Sequence, residues 1–541
     1  MNQSLTTRLL RSPTLARVWL SALLLVFANA CHAGDEPTKK ERINPAGIDG
    51  SVMISGGDKV PEAAARRFVE IAGGAKARLV VLTLAQGSSS GSADLDLWQA
   101  HKPAAVDTLQ VGSRKAADES QVAALLRKAS AVWIVAEIGP KACVERCADT
   151  AVETELRALM HRGGIVGGTA NATRMLGAVC VDKDPAKSIK GLGLLPGAIV
   201  NHGPVGSGSA SVLSANPGLF AIDPDDGTAL IISGRELRVL GDGVVRCTLA
   251  ACTARALRTI ELASKPEIAG DYTQLRRAAL ARCDAPFPGR DAVVPEVTKG
   301  SLVIVGGGGM PDDVTKKFIE LAGGPDALIV VLPTANPEPL TPGADSAFLE
   351  RAGAKKVKVL PARTFKDVED PKNLEVLKDA GGIWCGGGRQ WRFVDAYEGT
   401  KALESFRDVL RRGGVIGGSS AGATIQGDYL CRGSPLGNLE MMCEGYERGL
   451  GFLPGVAIDQ HFAQRKRFPD MTALVKAYPQ ILGIGIDEAT ALIVRGHVAE
   501  VMGKGEAHFY DRKKPVERDK PDYESVKAGQ RYDLKQRKAA E

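Results

Sequence analysis

The run Gly418-Ser419-Ser420-Ala421-Gly422 reads G-x-S-x-G, the pattern of a strand-turn-helix elbow that lifts a serine hydroxyl clear of a sheet. Val415 and Ile416 ahead of it suit a short buried strand, and Ala421, Ala423, Thr424 and Ile425 can begin a helix. The glycines permit a turn too sharp for larger residues. A helix starting at Ala421 would aim its backbone N–H at an oxyanion forming beside Ser420. The chemistry that follows is acyl transfer. The run alone fits a glycine-rich turn with incidental serines equally well, and a nucleophilic serine needs partners. Downstream, a glycine-rich stretch from Gly449 to Gly455 leads into Val456-Ala457-Ile458-Asp459-Gln460-His461-Phe462, an apolar strand ending in a polar cluster. His461 follows the serine, with acidic residues in between, which is the order Ser, acid, His of α/β serine hydrolases. Upstream, Ile383-Trp384-Cys385 runs into Gly386-Gly387-Gly388, then Arg389 and Gln390. A bare glycine loop at a strand end can bring backbone N–H groups to a substrate.

These three segments resemble the cyanophycinase and aspartyl dipeptidase family of serine peptidases. The resemblance rests on the Gly-Gly…Gln loop, the G-x-S-A-G-A elbow and the stretch GLGFLPGVAIDQHFAQRKR, and it spans roughly residues 300 to 512. It implies Ser420 as nucleophile and His461 as its base, with the N–H groups of Gly387 and Ala421 at the oxyanion. It implies Gln390, Asp459, Gln460, Arg465 and Arg467 as the lining of the substrate site. The family pattern places the triad acid between elbow and histidine. Glu440 is nearest to the expected place, with Glu444 and Asp428 as rivals. The implied reaction is hydrolysis of β-aspartyl peptide bonds in a peptide or in the polymer cyanophycin, with no cofactor and no metal. The implied fold is α/β, as two tandem flavodoxin-like domains of the class I glutamine amidotransferase type. One departure concerns substrate. Members active on cyanophycin carry a further arginine soon after the pair matched here, where this sequence has Phe468-Pro469-Asp470.

The elements that must position these residues recur. Ser51 to Gly57 returns as Ser301 to Gly307, Ala72-Gly73-Gly74 as Ala322-Gly323-Gly324, Gly163 to Gly168 as Gly413 to Gly418, and Gly191 to Gly197 as Gly449 to Gly455. A single period of roughly 250 residues predicts a duplicated domain rather than a solenoid. Within each copy short apolar runs alternate with amphipathic stretches. Val303–Val305, Ile329–Leu332, Val357–Leu360 and Ile383–Cys385 read as buried strands, and Lys316–Leu321 and Leu403–Arg411 as helices. That alternation predicts a mostly parallel sheet with helices on both faces, and it puts Ser420 at a strand C-terminus, where such sheets bind ligands. The expected divisions are a leader over 1–33, a first domain over 48–262, a linker over 263–298, a second domain over 299–512 and a solvated charged tail over 513–541. A last hairpin is expected over Gly503–Tyr510.

The copies differ where chemistry is expected. The first has Ala170 in place of the serine, Gly203 opposite His461 with His202 one place off, and Ala136-Glu137-Ile138 instead of the glycine loop. A one-residue shift turns a strand side chain to the other face. The first copy therefore reads as a pseudo-enzyme, and one use for it is an intramolecular pseudo-dimer with the second.

Arg8, Arg11 and Arg17 precede an apolar run from Val18 to Ala30, too short to span a membrane. This predicts a secretory signal peptide cleaved before Gly34, hence a periplasmic or secreted protein; lipidation at Cys31 fits less well. Across 541 residues the net charge is +6 and aromatics make up 5%. With no basic patch interleaved with aromatics, nucleic-acid binding is unsupported. Cys143/Cys147, Cys247/Cys252 and Cys431/Cys443 are close pairs that an oxidising compartment could bridge, and buried free thiols suit them as well. The chain has no H-E-x-x-H and no C-x-x-C, which disfavours zinc.

Overall fold

Leu302 to Val305, Leu328–Leu332 and Gly382–Cys385 carry no polar residue and do not alternate, as strands covered on both faces must be. The computed structural model describes residues 42–85, 95–182, 188–201, 209–337 and 343–540. In it these runs join a nine-stranded sheet. Its parallel part runs Lys356–Val359, Leu328–Leu332, Gly382–Cys385, Val415–Ser419, Val297–Val305. Four antiparallel strands extend it: Thr490–Gly496, Val498–Gly503, Arg531–Asp533 and Lys538–Ala540. Leu302 and Ile304 face one core with Phe406 and Val409 of the Lys401–Arg411 helix. Val303 and Val305 face the other, with Val314 and Phe318 of the Asp312–Leu321 helix. This is the α/β architecture with helices on both faces. Leu403, Phe406, Val409 and Leu410 form the buried side of their helix, as their spacing predicts.

A second sheet carries Gly427–Tyr429, Leu453–Gln460, Leu482–Ile486, Glu506–Tyr510 and Glu524–Lys527. Here Leu453–Gln460 and Leu482–Ile486 lie parallel, with Gln460 opposite Ile486. The chain segments that leave these two strands at the same edge therefore start as neighbours.

In the first half the sheet order is Ala105–Val111, Arg78–Leu84, Ala131–Ala136, Ile165–Thr169, Ser51–Ser55, Thr228–Ser233, Glu236–Gly241 and Gly270–Asp271. The parallel-then-antiparallel order of the second half thus recurs. Gly177–Cys180, Leu195–Val200, Phe220–Pro224 and Val244–Leu249 likewise repeat the run of the smaller sheet.

Three expectations need correction. The stretch read as a linker contains the Gly270–Asp271 strand and the Tyr272–Ala281 helix, and Tyr272, Leu275, Ala278 and Ala279 are in the first half's core. The tail is folded as well. Val526, Tyr532 and Leu534 are buried, and the Tyr532 ring stacks on Phe509 with centroids 3.7 Å apart. A few well-spaced apolar residues close a sheet edge even in a charged stretch. Finally, Val498–Gly503 and Glu506–Tyr510 form no hairpin, because they enter different sheets.

Residues Asn44–Glu541 make one compact unit. Buried ion pairs hold its halves together. Glu444 of the second half meets Arg282 at 2.6 Å and Arg255 and Arg258 at 3.1 Å. Arg235 of the first half donates to Asp395 at 2.8 Å and to the Tyr446 hydroxyl at 2.9 Å. The pairs Cys143/Cys147, Cys247/Cys252 and Cys431/Cys443 are not bridged, and burial pushes the Cys143 and Cys147 thiols up to about 12. The leader, His202 and Gly203 lie outside the described residues. Among the described residues no helix is long and apolar enough to cross a membrane.

Candidate active site

The strand Val415–Ser419 is flanked on both sides by parallel neighbours, so its C-terminal end lies mid-sheet. The turn after it is as tight as the glycines suggest. A side chain at Gly418 would start 2.3 Å from the Gly422 carbonyl oxygen, and one at Gly422 would start 2.0 Å from that of Cys385. Ser420 takes φ 55 and ψ −111, a region that costs a non-glycine residue of order 1–3 kcal/mol. A bond from its N–H to the Val305 carbonyl at 3.0 Å fixes it there, and the Ala421–Thr424 helical turn follows.

The strand Leu453–Gln460 delivers His461, which is buried, at φ 50, with its N–H on the Gly306 carbonyl at 2.7 Å. A Cβ on Gly307 would lie 2.3 Å from the imidazole, so this glycine makes room for the ring. His461 Nε2 lies 3.0 Å from Ser420 Oγ, and its Nδ1 lies 2.6 Å from Glu488 Oε1. Serine, imidazole and carboxylate thus stand in one hydrogen-bonded row. Burial lowers the His461 pKa below its ordinary value, against the hydrogen bond it donates to Glu488, which raises it. The shift favours the neutral ring, in which Nε2 can accept the Ser420 proton. The Gly387 backbone borders the serine, since a Cβ there would sit 3.5 Å from that of Ser420. The first N–H groups of the turn starting at Ala421 have no intrahelical acceptor. An acyl carbonyl between these two backbones could be attacked and its oxyanion held.

The acid is a correction. Glu440 is exposed and is not at His461. Glu444 is buried among three arginines of the first half, and Asp428 accepts the Gly455 N–H at 3.1 Å. The carboxylate on the histidine is Glu488, so the chain order is Ser, His, Glu. The signal was present in the sequence: Asp487-Glu488 ends a second apolar strand, parallel to the one ending at His461.

The residues expected to line the substrate site divide in two. Gln390 is buried, donating to the carbonyls of Cys431 and Arg432 at 2.8 and 2.7 Å. Asp459 is fully buried, with Arg432 at 3.0 Å and Arg467 at 2.7 Å. Arg467 is itself buried and also donates to the Gln460 carbonyl at 2.7 Å. These three brace the floor of the site rather than present free groups to it. Asp470 pairs with Arg432 at 2.6 Å. The Gln460 side chain reaches the nucleophile, with Oε1 3.4 Å from Ser420 Oγ, and Arg465 is exposed beside His461.

In the first half Thr169, at φ −117, caps a helix that starts at Ala170, without the elbow strain. Among the described residues no group of histidine, cysteine and carboxylate side chains could hold a metal ion.

Comparison with known proteins locates the same region. A model of "Peptidase family S51" matches residues 302–502. The chain is 32% identical over 224 residues to a cyanophycinase of Trichormus variabilis, covering 40% of this chain and 75% of that one. It is 34% identical over 221 residues to a cyanophycinase of Geminocystis herdmanii, covering 39% and 81%. A solved peptidase from an acI-B1 Actinobacterium is 25% identical, with 43% of this chain and 97% of that chain covered and a TM-score of 0.33. An identity of 34% sustained over 81% of a relative's length, with the family model lying across the serine elbow, makes this chain a member of peptidase family S51, a serine-type peptidase.

Proposed function

We propose that the second half hydrolyses β-aspartyl peptide bonds through an acyl-enzyme on Ser420. The observation that carries this is the row Ser420 Oγ, His461 and Glu488 beside the Gly387 backbone. His461 Nε2 takes the hydroxyl proton as Oγ attacks the carbonyl carbon, and Glu488 steadies the imidazolium through Nδ1–H. The N–H groups of Ala421 and Gly387 hold the oxyanion. As the tetrahedral species collapses, Nε2 returns the proton to the leaving amine. Water then enters, His461 takes one of its protons, and the ester is cleaved.

The relatives named as cyanophycinases support cyanophycin as substrate: a poly-aspartate chain with arginine on each side-chain carboxyl, cut to β-aspartyl-arginine dipeptides. The leader supports secretion, which suits scavenging of such a polymer outside the cell. The recurring strand order and the residues at 136–138 and 170 support a duplicated first half that is a non-catalytic partner, packed as an intramolecular pseudo-dimer. Incubation of purified protein with insoluble cyanophycin and with β-aspartyl dipeptides, products identified by mass spectrometry, tests the substrate. Release of β-aspartyl-arginine is expected. Cleavage of simple esters but of neither substrate would favour an esterase of the same fold.

A further inference from the structure

The glycine loop at Ser420 runs into two half-buried arginines that the motif reading passes over. Arg389 follows the exposed Gly387 and Gly388 directly, and its N–H is fixed on the Ala335 carbonyl at 2.9 Å. Its guanidinium donates to the Ser434 carbonyl at 2.7 Å. Arg392, one turn further, lies over the Trp391 ring at 4.7 Å, and its buried Nε has no hydrogen-bond partner. Among the described residues neither arginine has a carboxylate partner. Asp395 acts on Arg392 electrostatically, but Arg235 and the Tyr446 hydroxyl already engage it. Arg235 also stacks on Trp391, at 4.3 Å.

The surroundings of Arg392 gather further guanidinium groups. Burial lowers the Arg389 and Arg392 pKa values, and the like charges of Arg235, Arg363 and Arg389 lower that of Arg392 further. Asp345, which feels the charge of Arg363, is pushed above its ordinary range by burial. Gathering guanidinium groups out of water without a counter-charge is unfavourable. An anion offered by a ligand removes that penalty, and planar guanidinium forks suit a carboxylate.

We propose that Arg389 and Arg392 form a carboxylate-binding subsite of the substrate cleft. A peptide whose scissile carbonyl sits at Ser420 passes over Gly387 and Gly388 and places a free carboxylate, such as the α-carboxylate of a β-aspartyl unit, against the two guanidiniums. The subsite selects acidic peptides over neutral ones. It rests on the peptidase reading above, and it is distinct from Arg465, on the histidine side.

The test compares a β-aspartyl dipeptide bearing free carboxylates with the same peptide amidated at those carboxylates, in wild type, Arg389→Gln and Arg392→Gln. The ratio of kcat/KM for the acid to that for the amide should fall about ten- to hundredfold in each variant, chiefly through KM, as expected for loss of hydrogen bonds to a charged group. An unchanged ratio overturns the proposal, whether both activities fall together or neither does. If wild type cleaves neither peptide, the substrate reading fails, and protection of Ser420 from a fluorophosphonate then decides about the subsite. Protection by the acid that Arg392→Gln abolishes upholds it. Equal protection by acid and amide, or none, overturns it.

Discussion

Replacing Glu488 by alanine removes the one carboxylate hydrogen-bonded to His461, at 2.6 Å from Nδ1. Two effects follow. The imidazole loses the partner that fixes its tautomer and steadies its charge when Nε2 takes the Ser420 proton. Loss of the acid in serine triads lowers turnover by about 10⁴. The Glu488 side chain is 34% exposed, so water partly replaces it, and a fall of about 10²–10⁴ in kcat/KM is expected, equivalent to about 3–5 kcal/mol of transition-state stabilisation. The second effect is on pH dependence. The Glu488 hydrogen bond raises the His461 pKa against burial. Without it the residual activity should persist to lower pH than in wild type. Glu440→Ala is the paired control, expected to stay within about threefold of wild type because its side chain is exposed, away from the histidine. Steady-state kinetics on a β-aspartyl dipeptide between pH 4 and 9 measure all of this. Near-normal turnover in Glu488→Ala together with collapse in Glu440→Ala would refute the assignment and restore the order Ser, acid, His.

Other predictions concern the site's frame. In wild type, activity should be lost toward acid pH as His461 protonates, with the midpoint below the ordinary histidine value because burial disfavours the charged ring; a midpoint above that value in a kcat/KM profile would contradict it. Glu444→Gln leaves the buried Arg282 guanidinium without its counter-charge and should destabilise the fold by about 3 kcal/mol or more. The Glu444 pKa is lowered by its arginines despite burial, so the deficit against wild type should be full at neutral pH and shrink as pH falls through the acid range, where wild-type Glu444 also protonates. Denaturant melts at two pH values measure it. Asp459→Asn should lower stability by a similar amount, since Arg432 and Arg467 both lose their shared carboxylate. Ala170→Gly in the first half should leave kcat/KM unchanged while costing at most about 1 kcal/mol of stability; a loss matching that of a Ser420 variant would show that the first half takes part in the chemistry.

Ser420 and His461 were legible because their signals are local. The elbow needs glycines at fixed offsets, and the histidine closes an apolar strand. Glu488 was not, since its partnership with His461 arises from the parallel pairing of Leu453–Gln460 with Leu482–Ile486. Sequence spacing carries no record of which strands become neighbours. The burial of Gln390, Asp459 and Arg467 went unread for a related reason. Charged and amide side chains suggest exposure, yet here they are satisfied inside the protein, whereas Arg389 and Arg392 have no carboxylate ion pair among the described residues. In the tail and the linker, composition averaged over charged stretches hid the few residues, Tyr272 and Tyr532 among them, that dock those stretches on the core.

The central claim is that Ser420 is the nucleophile. Treatment with a fluorophosphonate, followed by peptide mapping and assay of β-aspartyl peptide hydrolysis, tests it most directly. The account predicts a single labelled residue, Ser420, with activity lost in proportion to labelling, and neither label nor activity in Ser420→Ala. Label on a different residue with Ser420 unmodified, or sustained hydrolysis by Ser420→Ala, would contradict it.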